Sequence, residues 1–292
     1  MNDMKKILPF LIMSIIICHP LFTGCIQDSS KQNGIGVVVT ILPQAEFVQR
    51  IAGDRAHITV MIPPGADPHT YEPTPSQLVE VSTAQLYVKI GSPIEFELSW
   101  MAKILSMNKN MIVIDSSKGI DLINSTDEEE QGLDPHIWTS VKNAEIMVQN
   151  IYQGFLQIDS INMTYYENNT NQYLQQLRTL DENITEILSG KTHRTFMVYH
   201  PAWGYFAKEY DLKQLSIEEY GKEPTPQQLQ QLIDEVKAEN ISVIFVSPQF
   251  NARSAETIAN EIHGTVVAVD PLAENYLENM QKIADAFAKA MQ

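Results

Sequence analysis

The sequence predicts an α/β protein of two lobes, each a mostly parallel sheet covered by helices, joined by a long rigid linker helix. Short apolar runs rich in β-branched residues alternate with amphipathic stretches, the pattern of strands and crossover helices. Those runs fall in two clusters, one before residue 116 and one after residue 194, and the stretch between them carries helical spacing only. With 292 residues, 44% of them hydrophobic, the chain has material for two cores.

At the N-terminus Lys5 and Lys6 precede an apolar run from Ile7 to Phe22, which leads into Thr23-Gly24-Cys25. A charged start, an apolar segment and small residues make an export signal over 1–24, too short for a confident membrane span. Cysteine after Thr-Gly resembles a lipobox, with Cys25 as the lipid-modified first residue of the mature chain. Phe22 stands where leucine is usual, so ordinary cleavage is the alternative. Residues 25–35 are polar and form a tether. Cys18 and Cys25 are the only cysteines, so the domain beyond the leader has neither disulfide nor thiolate ligand.

The N-terminal lobe is expected over 36–160. Its strands are Gly36–Ile41, His57–Ile62, Gln85–Ile90 and Met111–Asp115, with helices near Pro43–Ala52, Pro75–Thr83, Ile94–Ser106 and Val141–Gln157. The linker helix is expected within 161–190, where Tyr166, Tyr173, Leu177, Leu180, Ile184 and Leu188 keep helical spacing up to Gly190. The C-terminal lobe, 191–292, holds strands at Thr195–Tyr199, Lys213–Ile217, Ser242–Ser247 and Thr265–Val269. Its helices are expected near Pro226–Glu239, Ala252–His263 and Glu274–Met291.

A short repeat relates the lobes. Glu72-Pro73-Thr74-Pro75-Ser76-Gln77-Leu78 recurs as Glu223-Pro224-Thr225-Pro226-Gln227-Gln228-Leu229. Each reads as a helix start, with a threonine cap, proline at the first helical position and a glutamine completing a capping box.

Four residues next to prolines recur at gaps of 67, 64 and 70 residues: His69, His136, His200 and Asp270, in Asp67-Pro68-His69, Asp134-Pro135-His136, His200-Pro201 and Asp270-Pro271. Gaps this long rule out one finger or one helix as the source of all four. Proline fixes its own φ and extends its predecessor, so these are stiff loops at strand ends. Three imidazoles and a carboxylate make a tetrahedral site for a divalent transition metal, two ligands from each lobe. Neutral imidazoles with one hard oxygen suit Zn2+, with Mn2+ or ferrous iron as competitors.

Formal net charge is −16 and no basic stripe stands out, which argues against nucleic acid as a partner. Four protein ligands leave no open position for a catalytic water, and no His-Glu-x-x-His, Gly-x-Ser-x-Gly or phosphate-loop motif occurs. A zinc-dependent hydrolase is therefore disfavoured, as is an adhesin whose metal is purely structural. Five Asn-x-Ser/Thr sequons, at Asn124, Asn162, Asn168, Asn183 and Asn240, are possible glycosylation sites.

Asp67-Pro68-His69-x-Tyr71-Glu72-Pro73-Thr74-Pro75, Asp134-Pro135-His136-x-Trp138, His200-Pro201-Ala202-x-Gly204-Tyr205-Phe206-Ala207 and Pro248-Gln249-Phe250 together resemble the substrate-binding proteins of zinc/manganese ABC transporters. The resemblance runs from about Val37 to the C-terminus. It implies a two-lobed, non-enzymatic monomer outside the cytoplasm, at the outer face of the cell membrane or in the periplasm. It implies delivery of the metal to a membrane permease with its ATPase. The ligands it implies are His69, His136, His200 and Asp270, and histidine rather than glutamate at the third position favours zinc. Three features depart from the family pattern: acidic Ser125–Gln131 where several members carry a His-rich loop, Thr139-Ser140 after Trp138, and Ser247 in place of a common glutamate.

Overall fold

The computed structural model describes residues 34–125, 132–218, 222–251 and 253–291. The expected export signal, Cys25, most of the expected tether and the acidic stretch 126–131 lie outside the described residues.

The first half runs β1 (Ile35–Val39), α1 (Leu42–Ala52), β2 (Ala56–Val60), α2 (Pro75–Thr83), β3 (Leu86–Lys89), α3 (Glu95–Met107) and β4 (Ile112–Asp115). Its sheet has the order β2-β1-β3-β4 with every pair parallel. Helices α4 (Val141–Ile158) and α5 (Met163–Ser189) follow. The second half is β5 (Thr195–Val198), α6 (Gly204–Glu209), β6 (Lys213–Ser216), α7 (Pro226–Ala238), β7 (Val243–Val246), α8 (Arg253–Glu261), β8 (Thr265–Ala268) and α9 (Tyr276–Ala290). Its order, β6-β5-β7-β8, is again all parallel and repeats the first sheet's topology. In each sheet the strand order reverses beside the first strand, and such a switch point opens a crevice at the carboxyl ends.

Burial explains the strand sequences. Val37, Val38 and Val39 are all buried, as are Ile244, Phe245 and Val246, so these central strands read as continuous apolar runs rather than alternating ones. Both repeats form their capping boxes. Thr74 Oγ1 accepts from the Gln77 amide at 3.3 Å while Gln77 Oε1 accepts from the Thr74 amide at 2.9 Å. Thr225 and Gln228 make the same two bonds at 3.3 and 2.9 Å. Helix α6 was not expected: its six residues are too few to show a period.

The long helix is bound along its length. Tyr166, Tyr173, Leu177, Ile184 and Leu188 are buried, and α5 packs on α4, α1 and α9, so helices of both halves cover it. One continuous cluster of buried side chains extends from β1 through the α5 face to Phe287 of α9, and a smaller one around Met197, Ile244 and Ile258 completes the second half. Polar ties reinforce that shared core. Trp138 Nε1 donates to the Pro271 carbonyl at 2.8 Å, and Tyr276 Oη donates to the Trp138 carbonyl at 2.8 Å. The Tyr276 amide donates to the Glu46 carboxylate on α1.

Candidate metal centre

Local chain chemistry builds each loop. In Asp67-Pro68-His69 the Asp67 carboxylate accepts the amide of His69 at 2.9 Å, and in Asp134-Pro135-His136 the Asp134 carboxylate accepts the amide of His136 at 2.8 Å. In Asp270-Pro271-Leu272 the Asp270 carboxylate accepts the amide of Leu272 at 2.9 Å. All three are the same aspartate turn, in which a side chain closes on the backbone two residues ahead. Histidine occupies the third position in two of them and leucine in the last.

The histidines share a second feature. His200 Nδ1 lies 2.8 Å from Glu218 Oε2, His136 Nδ1 lies 2.9 Å from Asp134 Oδ1, and His69 Nδ1 lies 3.1 Å from Glu95 Oε2. A carboxylate on Nδ1 fixes the tautomer and leaves Nε2 bare, the arrangement that orients an imidazole toward a metal. The His136 and His200 Nε2 atoms are 3.3 Å apart. Tetrahedral zinc with bonds of about 2.0–2.1 Å sets its nitrogen ligands about 3.3 Å apart. Two bare lone pairs at that distance repel one another until a cation or a proton lies between them. Phe250 stacks on His200 with ring centres 4.5 Å apart, and the His69 ring centre lies 5.1 Å from that of His200.

Glycine is required once for this packing. A Cβ on Gly204 would collide with Asp134 Oδ2, so the Gly204 of the His200-Pro201-Ala202-Trp203-Gly204 stretch leaves room for the carboxylate that orients His136.

Burial pushes the His200 imidazole below its ordinary value; the Glu218 hydrogen bond opposes this, and His136 and His69 reinforce it. His69 goes the other way: burial lowers it, but Glu95, Asp67 and Glu218 together prevail and raise it. Burial would raise the Glu95 carboxyl, yet its contact with His69 prevails and holds it down. Glu95 Oε2 has no aligned hydrogen-bond donor despite its approach to His69 Nδ1, and neither has buried Gln249 Oε1 beside Asp270. Carboxylates and under-satisfied oxygens around three imidazoles make a field that favours a cation.

The structure brings His69, His136 and His200 into one cleft, with Glu95, Glu218 and Phe250 also lining it. Among the described residues, no three His, Asp or Glu side chains stand as a preformed cage. The His136–His200 pair has ligand spacing, while His69 is held by Glu95. Asp270 Oδ1 is held by Gln249 Nε2 at 2.9 Å as well as by the Leu272 amide, and Asp270 is not among the residues lining the cleft. The orienting acids Glu95 and Glu218 were not found from sequence, because each is far along the chain from its histidine and carries no local signature. Asp134 is the local exception, two residues before its histidine in Asp134-Pro135-His136. Asn124, Asn168, Asn183 and Asn240 are exposed, whereas Asn162 Nδ2 donates to Asp159 at 2.7 Å.

Twin parallel sheets fused through one core, with imidazoles from both halves meeting at their carboxyl edges, define a two-lobed metal-binding protein. The chain belongs to the ZnuA family, "zinc-uptake complex component A, periplasmic", whose model matches residues 37–290. It is 31% identical over 272 residues to the high-affinity zinc uptake system protein ZnuA of Bacillus subtilis (strain 168), covering 85% of this chain and 83% of that one. It is 29% identical over 306 residues to the manganese-binding lipoprotein MntA of Halalkalibacterium halodurans, covering 99% of each. A crystal structure of ZnuA superposes with a TM-score of 0.85 at 38% identity, covering 89% of this chain and all of the other.

Proposed function

We propose that this protein captures Zn2+ outside the cytoplasm and delivers it to an ABC permease driven by its ATPase, with His69, His136, His200 and Asp270 as the ligands. The observation that carries the reading is the pair of bare Nε2 atoms 3.3 Å apart, each imidazole backed by a buried carboxylate. Zinc is cargo here, and no covalent chemistry is involved. Glu218, Asp134 and Glu95 hold the rings in the binding tautomer, and their charge offsets that of the cation. His69 offers its Nε2 while Glu95 keeps its Nδ1, and Asp270 completes the set by giving up Gln249. Exchange of the Gln249 contact makes uptake and release reversible.

Residues 1–24 serve as the export signal, Cys25 as the lipid anchor and 25–35 as the tether, with lobes at 36–160 and 191–292 around the linker 161–190. No described helix is long and apolar enough to cross a membrane. The protein works as a monomer.

Each proposed ligand is tested by substitution with alanine and competitive zinc titration of the apo-protein. His136→Ala and His200→Ala are expected to weaken binding by at least about a hundredfold, on the scale of losing an orienting group or more. Asp270→Ala is the discriminating case. Unchanged affinity would make Asp270 a turn residue only. The manganese relative favours a second reading, Mn2+ as cargo. Three nitrogen donors predict that zinc displaces manganese in direct competition; the reverse order would overturn the zinc reading.

A further inference from the structure

The α4–α5 turn carries an exposed apolar knuckle. Ile161 is 94% exposed, Met163 48% and Tyr165 39%. The knuckle lies where the described chain begins. The Arg55 guanidinium sits 4.8 Å over the Tyr165 ring, and a Cβ on Gly53 would strike Tyr165 Oη. A Cβ on Gly34 would lie 3.2 Å from the Arg55 carbonyl oxygen, and Ile35 pairs with Ala56 at the amino end of the sheet. Gly34, Arg55 and the knuckle are therefore neighbours on one edge of the fold.

From Cys25 to Gly34 is nine residues, which span at most about 30 Å when fully extended. An acyl chain on Cys25 would hold this edge close to the bilayer. Asp159, two residues before Ile161, is half-buried and engaged: it accepts from Tyr166 Oη at 2.6 Å and from Asn162 Nδ2 at 2.7 Å. Arg55 offers a cation to headgroup phosphates, and Tyr165 is a residue type at home in the headgroup layer. Asp54 and Glu167 are exposed beside the knuckle and would stay on the water side.

We propose that Ile161, Met163 and Tyr165 form a second membrane contact that seats the anchored protein on the outer leaflet. The inference rests on the lipid-anchor reading above. The lipid on Cys25 retains the protein at the membrane, and a second contact sets its orientation there. In this pose the carboxyl ends of the strands, where the histidines meet, point away from the bilayer. That is a pose for capture from the medium, and docking on the permease requires leaving it.

The test uses the full acylated chain, in which Ile161→Cys supplies the one free thiol once the leader is removed and Cys25 is acylated. It is labelled with nitrobenzoxadiazole in vesicles of phosphatidylethanolamine and phosphatidylglycerol. Leu98→Cys, on the cleft side and 70% exposed, serves as the comparison. The label at 161 is expected to shift to the blue and to be quenched by acyl-chain spin labels several-fold more than the label at 98. Equal quenching at the two positions overturns the proposal. So does a sugar on Asn162 in exported protein, or a blue shift at 161 that grows with protein concentration without vesicles, which would point to a second copy. Mass spectrometry separates the two readings. An unacylated Cys25 sinks both, whereas an acylated chain with label 161 in water sinks only the membrane seat.

Discussion

Asp67, Asp134 and Asp270 perform one task, closing a turn on the amide two residues ahead, and the residue at that third position decides what the loop offers the cleft. Of the two histidines so placed, His69 differs in electrostatics from His200. His69 is raised by its acids, whereas His200 is lowered by burial first, with the neighbouring imidazoles adding to it. Protons must leave a ring before metal enters, so the sign is fixed: affinity falls as pH falls, and His69 is protonated before His200. From pH 7 to pH 5, zinc affinity should fall by up to about tenfold per pH unit for each histidine that has to lose a proton. Competition titrations across that range are the check, and a flat profile would rule out a histidine site.

At the scale of elements, the joint between α4, α5 and α6 carries a buried acid with a poor environment. Glu209 ends α6, has an unpartnered Oε2, and is pushed up to about 7 by burial, with Asp181 on α5 adding to it. The hydrogen bond from Ser140 and the charge of Lys142 offset only part of this. A carboxyl raised in the folded state binds its proton more tightly there than when unfolded. Its stabilisation is thus present below the ordinary carboxylate range and lost as pH rises through about 7. Glu209→Gln should stabilise the apo-protein at pH 8 by about 1–2 kcal/mol, a few degrees in Tm, with the gain gone by pH 5. Thermal unfolding of both proteins at the two pH values decides it. The same scale shows what periodicity can and cannot reveal. Eight strands and the long helices announce themselves through buried apolar runs and 3.6-residue spacing, whereas α6, with six residues, has no room for a repeat.

Across the whole molecule, the lobes are bound by one apolar core and by hydrogen bonds that tie the His136 loop to the Asp270 loop through Trp138 and Tyr276. A core shared in this way predicts one cooperative unfolding transition for apo-protein. Zinc should raise its midpoint, by an amount equivalent to about 4 kcal/mol at a thousandfold excess over Kd. Two separable calorimetric transitions would contradict the shared core. Trp138→Phe, which leaves the Pro271 carbonyl without its donor, should cost about 1–3 kcal/mol.

What the sequence determined by itself was everything local. Valine runs specified buried parallel strands, the Thr-Pro-x-Gln repeats specified two capped helices, and the three Asp-Pro pairs specified aspartate turns. Those signals work because a cap, a turn or a strand face is set by neighbours a few residues apart. Packing alone brings the distant groups of the cleft together. Glu95 reaches His69 and Glu218 reaches His200 across loops that no spacing rule connects, and Gln249 takes hold of Asp270 from another strand end. Orientation of an imidazole depends on what touches its second nitrogen, and for His69 and His200 that contact exists only once the loops at the end of one sheet have come together.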